Sequence, residues 1–280
     1  MTIGIVTDSV CDLPADVIED LKITVIPLNV HYGTDAFKDG VDLGRNEFYR
    51  KLQTSKVLPK TSAPSPAVFA DTFDMLAEKT SEILGIFVSR KFSAAYDAAF
   101  QGIKLMDRKC KVAVLDSTLG AMGQGLLVIE AAKKALVGIN LDELVQKVAE
   151  TIPQTHVRAS LGSLKYLAMG GRIGKAQALL ASVLKIKPIL GIKDGEAFPV
   201  TKLRSKVKVH EWLTSFATGF ANTKALAVEY GTDFDAAKAL AERIASILPN
   251  VPLYLSQINP VIGTHTGPET IIVSVLSDER

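Results

Sequence analysis

Hydroxyl-bearing side chains gather in five short segments of this 280-residue chain, each beside a strand-like run or the start of a helical one. They are Thr7-Asp8-Ser9, Thr61-Ser62-Ala63-Pro64-Ser65-Pro66, Ser93, Asp116-Ser117 and Gly263-Thr264-His265-Thr266-Gly267-Pro268. In open parallel sheets ligands collect at the carboxyl ends of strands, and helix N-termini attract anions. Hydroxyls and a glycine-flanked histidine converging there suit a carboxylate or a phosphate. The competing reading gives each Ser or Thr only the amides of its own helix, as Ser65 ahead of Pro66 would do for the helix that follows. Together the segments favour one shared site, and Thr61, Ser62, Ser93, Thr264 and His265 are among the residues that can contribute to it.

Most catalytic templates are missing. There is no G-x-S-x-G, Walker A, H-E-x-x-H or strand-borne G-x-G-x-x-G. The run Gly120-Ala-Met-Gly-Gln-Gly125 has the wrong spacing for a dinucleotide and reads as a tight helix start. The four histidines, 31, 156, 210 and 265, lie at no ligand spacing, so no metal site is expected. Arg172 and Arg204 carry guanidinium forks suited to phosphate, and are assigned to phosphate neutralisation or docking of a partner. A serine-type acyl hydrolase using Ser93 and His265, oriented by Asp8 or Asp116, is the alternative reading. The absent nucleophile elbow counts against it.

The elements that must position these residues follow from periodicity. Buried strand-like runs at 3–7, 23–30, 83–89 and 111–115 alternate with amphipathic stretches, among them 67–79 and 141–151. Parallel strands joined by helical crossovers explain that alternation. From residue 155 onward the order is strand, short helix ended at Gly170-Gly171, helix over 175–185, and a hairpin at Asp194-Gly195. Helices at 205–220 and 234–248 then alternate with strands at 225–230, 253–258 and 270–276. The expected fold is α/β with two lobes, residues 1–155 around a mostly parallel doubly wound sheet and 156–280 as a second α/β lobe. Leu164, Leu167, Met169, Leu179, Leu180, Val183, Leu184 and Ile186 are candidate walls for an apolar tunnel, against the plainer reading of ordinary core.

Composition narrows the function. Thirty-two basic and 30 acidic side chains give a net charge of +2 with no basic block, which lowers the case for nucleic acid. No stretch reaches the length of a membrane span and the N-terminus has no signal-peptide pattern, so stable membrane insertion is not expected. Cys11 and Cys110 stand apart, which fits a reducing cytoplasm.

Five motifs carry a resemblance: TDSVCDLP at 7–14, TSAPSP at 61–66, LKYLAMGGRIGKA at 164–176, KPIL at 187–190 and IGTHTGP at 262–268. Together they resemble the DegV family over nearly the whole chain. The resemblance implies a two-domain α/β protein that binds a long-chain fatty acid, here taken as C16–C18, between its lobes. It implies that Thr61, Ser62, Ser93 and His265 hold the carboxylate. It also implies presentation of the acid to a separate fatty-acid kinase, which makes an acyl phosphate for phospholipid synthesis. The chain itself is then a carrier without a cofactor, not an enzyme. Two positions depart from the family pattern: Ser93-Ala94-Ala95 replaces Ser-Gly-Thr, and Glu269 stands where glycine is common.

Overall fold

The computed structural model describes residues 3–180 and 186–278. Its first half runs β1 (Gly4–Asp8), α1 (Ala15–Asp20), β2 (Thr24–Ile26), β3 (Asn29–Tyr32), β4 (Asp35–Lys38) and α2 (Arg45–Thr54). It continues through β5 (Lys60–Ser62), α3 (Pro66–Ala77), β6 (Glu82–Phe87), α4 (Ala95–Ile103), β7 (Lys111–Asp116), α5 (Ala121–Leu136) and α6 (Leu141–Thr151). The main sheet here is parallel throughout, in the order β2-β1-β6-β7. Its central strands, β1 and β6, are buried on both faces, as a parallel sheet wrapped by helices requires. Alternation sends Val6, Ile83 and Phe87 toward Phe69 and Phe73 of α3. Ile5, Leu84 and Ile86 go the other way, against Met122, Leu126 and Leu144 of α5 and α6.

The run 23–30 is not one strand. Pro27, which has no amide to donate, separates β2 from β3, and β3 leaves for a small antiparallel sheet, β4-β3-β5. That sheet carries Thr61.

The second half runs β8 (Thr155–Ser160), α7 (Lys165–Met169), β9 (Lys187–Lys193), β10 (Glu196–Leu203), α8 (Lys206–Ala217) and β11 (Thr223–Tyr230). It closes with α9 (Phe234–Ile247), β12 (Leu253–Gln257), α10 (Pro260–Thr266) and β13 (Ile271–Ser277). These strands form one mixed sheet, β10-β9-β8-β13-β11-β12. Asp194 and Gly195, with φ of 53° and 80°, make the expected tight hairpin turn between β9 and β10. The outer face packs under Val209, Leu213, Leu240 and Ile244 of α8 and α9.

The inner face of this sheet meets α5 of the first lobe. A Cβ on Gly123 would run into Val157 of β8, and one on Gly125 would meet the carbonyl of Cys11. The glycine run 120–125 thus starts α5, as its spacing predicts, and also lets the helix lie close against both sides. Two expectations change. Residues 174–179 form a 3-10 helix, while 181–185, including Val183 and Leu184, lie outside the described residues. The IGTHTGP segment is not a loop but most of α10, capped by the Asn259 side chain on Ile262 N at 2.8 Å. Among the described residues no helix is long and apolar enough to cross a membrane.

Candidate functional site

A cavity of about 350 Å³ opens where the carboxyl ends of β1 and β6 face β8, β9 and α10. Its walls are mostly apolar: Val10, Leu28 and Val88 from the first half, Val157, Leu190 and Ile272 from the second. The size falls within the usual range of small-molecule pockets, roughly 300–1,000 Å³. Thr61, Ser93, Arg172 and His265 supply polar groups on this wall.

Thr61 and His265, one on each side of the cleft, are in direct contact, Oγ1 to Nε2 at 2.8 Å. The His265 Nδ1 is buried with no hydrogen-bond partner among the described residues. That ring nitrogen sits where a side chain on residue 170 would stand, so Gly170 is the residue that admits the imidazole. Burial, and then the charge of Arg172, lower the His265 pKa to about 4, so the ring is neutral at neutral pH. In the tautomer with hydrogen on Nε2 it donates to Thr61 Oγ1 and leaves the threonine's own proton for a ligand.

Ser93 Oγ accepts from Ala95 N at 3.2 Å at the start of α4, and its hydroxyl proton remains available to the cavity. Arg172 crosses the cleft: Nε donates to Phe92 O at 2.9 Å and Nη1 to Gly170 O at 2.7 Å. The Nη2 edge of its fork is left for an anion. The sequence assigns Arg172 to phosphate neutralisation or docking of a partner; the structure sets it in the cavity wall.

Other candidates fall elsewhere. Ser62 also borders the cavity, but its hydroxyl is engaged with Asn29 and His31 on the exposed face of β5, contacting His31 Nε2 at 2.9 Å. Neighbouring residues of a strand face opposite ways, so Thr61 and Ser62 cannot both aim inward. Thr264 Oγ1 donates to Pro260 O at 2.8 Å; Thr266, on the other side of α10, lines the cavity, and its hydroxyl donates to Ile262 O at 3.1 Å. Arg204 is exposed at the end of β10 and is not part of the cavity wall. Glu269 forms an ion pair with Lys187 at 2.8 Å. The segments at Asp8 and Asp116 are local scaffolding. Asp8 accepts from Val10 N, Val88 N and Gln124, and Asp116 accepts from Thr118 N and Arg90 N.

Neither aspartate therefore orients His265, and the Ser93 hydroxyl is not paired with that ring. The hydrolase reading loses its triad. Among the described residues no group of His, Cys, Asp and Glu could hold a metal ion.

The model of the DegV family, described as uncharacterised protein, DegV family, matches residues 2–278. This chain belongs to the DegV family. A DegV domain-containing protein of Caldanaerobacter subterraneus is 34% identical over 95% of this chain and 96% of its own length. Solved structures with the same architecture include a fatty-acid-binding DegV family protein of Thermus thermophilus, at TM-score 0.89 and 28% identity over 99% of this chain and 100% of that one. A stearic-acid-binding protein of Eubacterium ventriosum matches at TM-score 0.90 and 28% identity, over 98% of both chains. The DegV fatty acid binding protein of Bacillus subtilis matches at TM-score 0.89 and 25% identity, over 99% of this chain and 100% of that one.

Proposed function

We propose that this chain is a fatty-acid carrier: it holds a C16–C18 acid by its carboxylate between lobes 1–155 and 156–280 and presents it to a fatty-acid kinase. The observation that carries the reading is the Thr61–His265 pair, with Arg172 near it, on the wall of an otherwise apolar cavity. A buried carboxylate needs donors in place of its water, each charge-assisted hydrogen bond contributing about 1.5–3 kcal/mol. Thr61, Ser93 and the Arg172 fork supply them, and His265 holds Thr61. Tail burial adds about 0.8 kcal/mol per methylene, or about 11 kcal/mol gross for a C16 chain.

DegV relatives of known structure bind fatty acids, which supports the same ligand here. The chain does no chemistry alone, works in the cytoplasm, and offers Arg204 and the outer face of Arg172 to the kinase. The kinase transfers phosphate to the acid, and the acyl phosphate enters phospholipid synthesis. The kinase half is tested by mixing fatty-acid-loaded protein with a fatty-acid kinase and ATP and trapping acyl phosphate as its hydroxamate. Product should form, and Arg204→Ala should slow it without changing palmitate affinity. A loaded chain that yields no hydroxamate overturns the kinase half.

A further inference from the structure

A buried polar cluster lies between the lobes and takes no part in the cavity wall. Asp12, after β1, is 1% exposed, and Glu229, on β11, is 0% exposed. Asp12 Oδ1 accepts from Asn259 N at 2.9 Å and faces Arg45 Nη2 at 3.4 Å. Glu229 Oε1 accepts from Met122 N at 3.1 Å. The remaining oxygens, Asp12 Oδ2 and Glu229 Oε2, are buried and have no donor among the described residues. The two carboxyl groups are within hydrogen-bond reach of each other. Two ionised carboxylates cannot hydrogen-bond, and holding both charged in this buried place is costly. One proton between them removes both problems.

Asn259 links this cluster to the ligand site. Its amide is held by Asp12, its Nδ2 donates to Ser9 O at 2.9 Å, and its Oδ1 caps Ile262 N at 2.8 Å. It is the N-cap of α10, the helix that carries His265 in its last turn.

We infer that a proton shared by Asp12 and Glu229 pins the start of α10 to the first lobe and thereby positions His265 against Thr61. Asp12 and Glu229 are positioning residues, and their role in binding rests on the carrier reading proposed above. Around the pair stand Arg45, whose guanidinium also donates to Gln257 O, together with Asp8, Asp39, Tyr49 and Cys11. Arg45 is the cation among these groups and balances one carboxylate, not two. Burial, and then the charge of Asp12, hold the Glu229 carboxyl well above its ordinary range. Burial raises Asp12 to about 6 against the pull of Arg45, Asp8 to about 6 and Asp39 to about 7. Tyr49 and Cys11 are pushed upward by burial and stay neutral. Burial and the neighbouring carboxylate thus favour the neutral form of Glu229.

The folded chain holds a proton that the unfolded chain has lost above the ordinary glutamate range, so stability falls as pH rises through that window toward the folded Glu229 pKa. Glu229→Gln supplies an N–H in place of the proton and should remove that dependence.

The test uses the full chain and its Glu229→Gln variant, followed from about pH 6 to pH 9. Infrared spectra of the parent across this range should show a protonated-carboxyl band that Glu229→Gln lacks. The melting temperature of the parent should fall with pH more steeply than that of the variant. Without ligand, the His265 ring resonances of the parent should shift as the pair deprotonates and stay fixed in Glu229→Gln. With palmitate added, affinity should decline toward high pH in the parent by several-fold and not in the variant. No band in the parent, equal melting slopes, or His265 resonances that ignore the pair overturn the inference. Failure of palmitate to bind, with the infrared and ring signals as expected, counts against the carrier reading and leaves the positioning role standing.

Discussion

Replacing Thr61 with valine removes one hydroxyl and keeps the branched shape that β5 uses opposite Val30. In the bound state the carboxylate loses a donor and His265 Nε2 loses its partner at 2.8 Å. A hydrogen bond to a charged group contributes about 1.5–3 kcal/mol, so palmitate affinity should drop roughly ten- to 150-fold. The uncharged methyl ester loses only a neutral hydrogen bond, about 0.5–1.5 kcal/mol, so its already weaker binding should change less. The acid-over-ester preference therefore narrows, which is the diagnostic quantity. Without ligand the variant should melt within a few degrees of the parent, because one half-buried hydrogen bond of about 1 kcal/mol is lost. Titration calorimetry with palmitate and methyl palmitate, beside melting curves, measures all of this. A lower melting temperature with an unchanged acid-over-ester ratio would show that Thr61 and His265 merely tie the lobes together, and the carboxylate argument would fail.

Gly170→Ala places a methyl group against His265 Nδ1 and should weaken palmitate binding by at least tenfold while secondary structure, read by circular dichroism, persists. Unaltered affinity there would mean that the ring position is irrelevant to the ligand. His265 stays neutral in the folded chain down to about pH 4, whereas an unfolded histidine takes a proton near pH 6.5. Stability attributable to it is thus full above about pH 6.5 and lost as pH falls toward 4, so parent and His265→Gln melting curves should converge on acidification. Curves that stay parallel across that window contradict the buried neutral ring. The isolated chain should not turn over p-nitrophenyl palmitate, since no carboxylate orients His265. Sustained release that vanishes in Ser93→Ala would restore the hydrolase reading.

Much of the fold is legible in the residues because the signals are local. Buried β-branched runs mark the parallel strands, Asp194-Gly195 marks its hairpin, and Ser65-Pro66 marks the start of α3. Pro27 also announces the break between β2 and β3, yet the sheet that β3 joins is set by pairing with β5, a long-range choice. Asn259-Pro260 is a helix-start signal beneath the glycines of IGTHTGP, whose density reads as a loop. The site is legible as residue types rather than directions. Thr61 and Ser62 look equivalent in sequence, and only the register Asn29↔Ser62 and Val30↔Thr61 decides which one faces inward. Thr264 and Thr266 differ likewise by their side of α10. Arg172 enters the cavity because Phe92 and Gly170 carbonyls hold its fork there, contacts no spacing rule encodes.

On the proposed function, one free fatty acid fills the cavity. Mass spectrometry of an organic extract from the purified protein, quantified against protein concentration, tests it most directly. A free C16–C18 acid at close to one per chain is expected, depleted in a Thr61→Val, His265→Ala double variant. An extract without fatty acid, from protein that also fails to bind added palmitate or oleate, would contradict it.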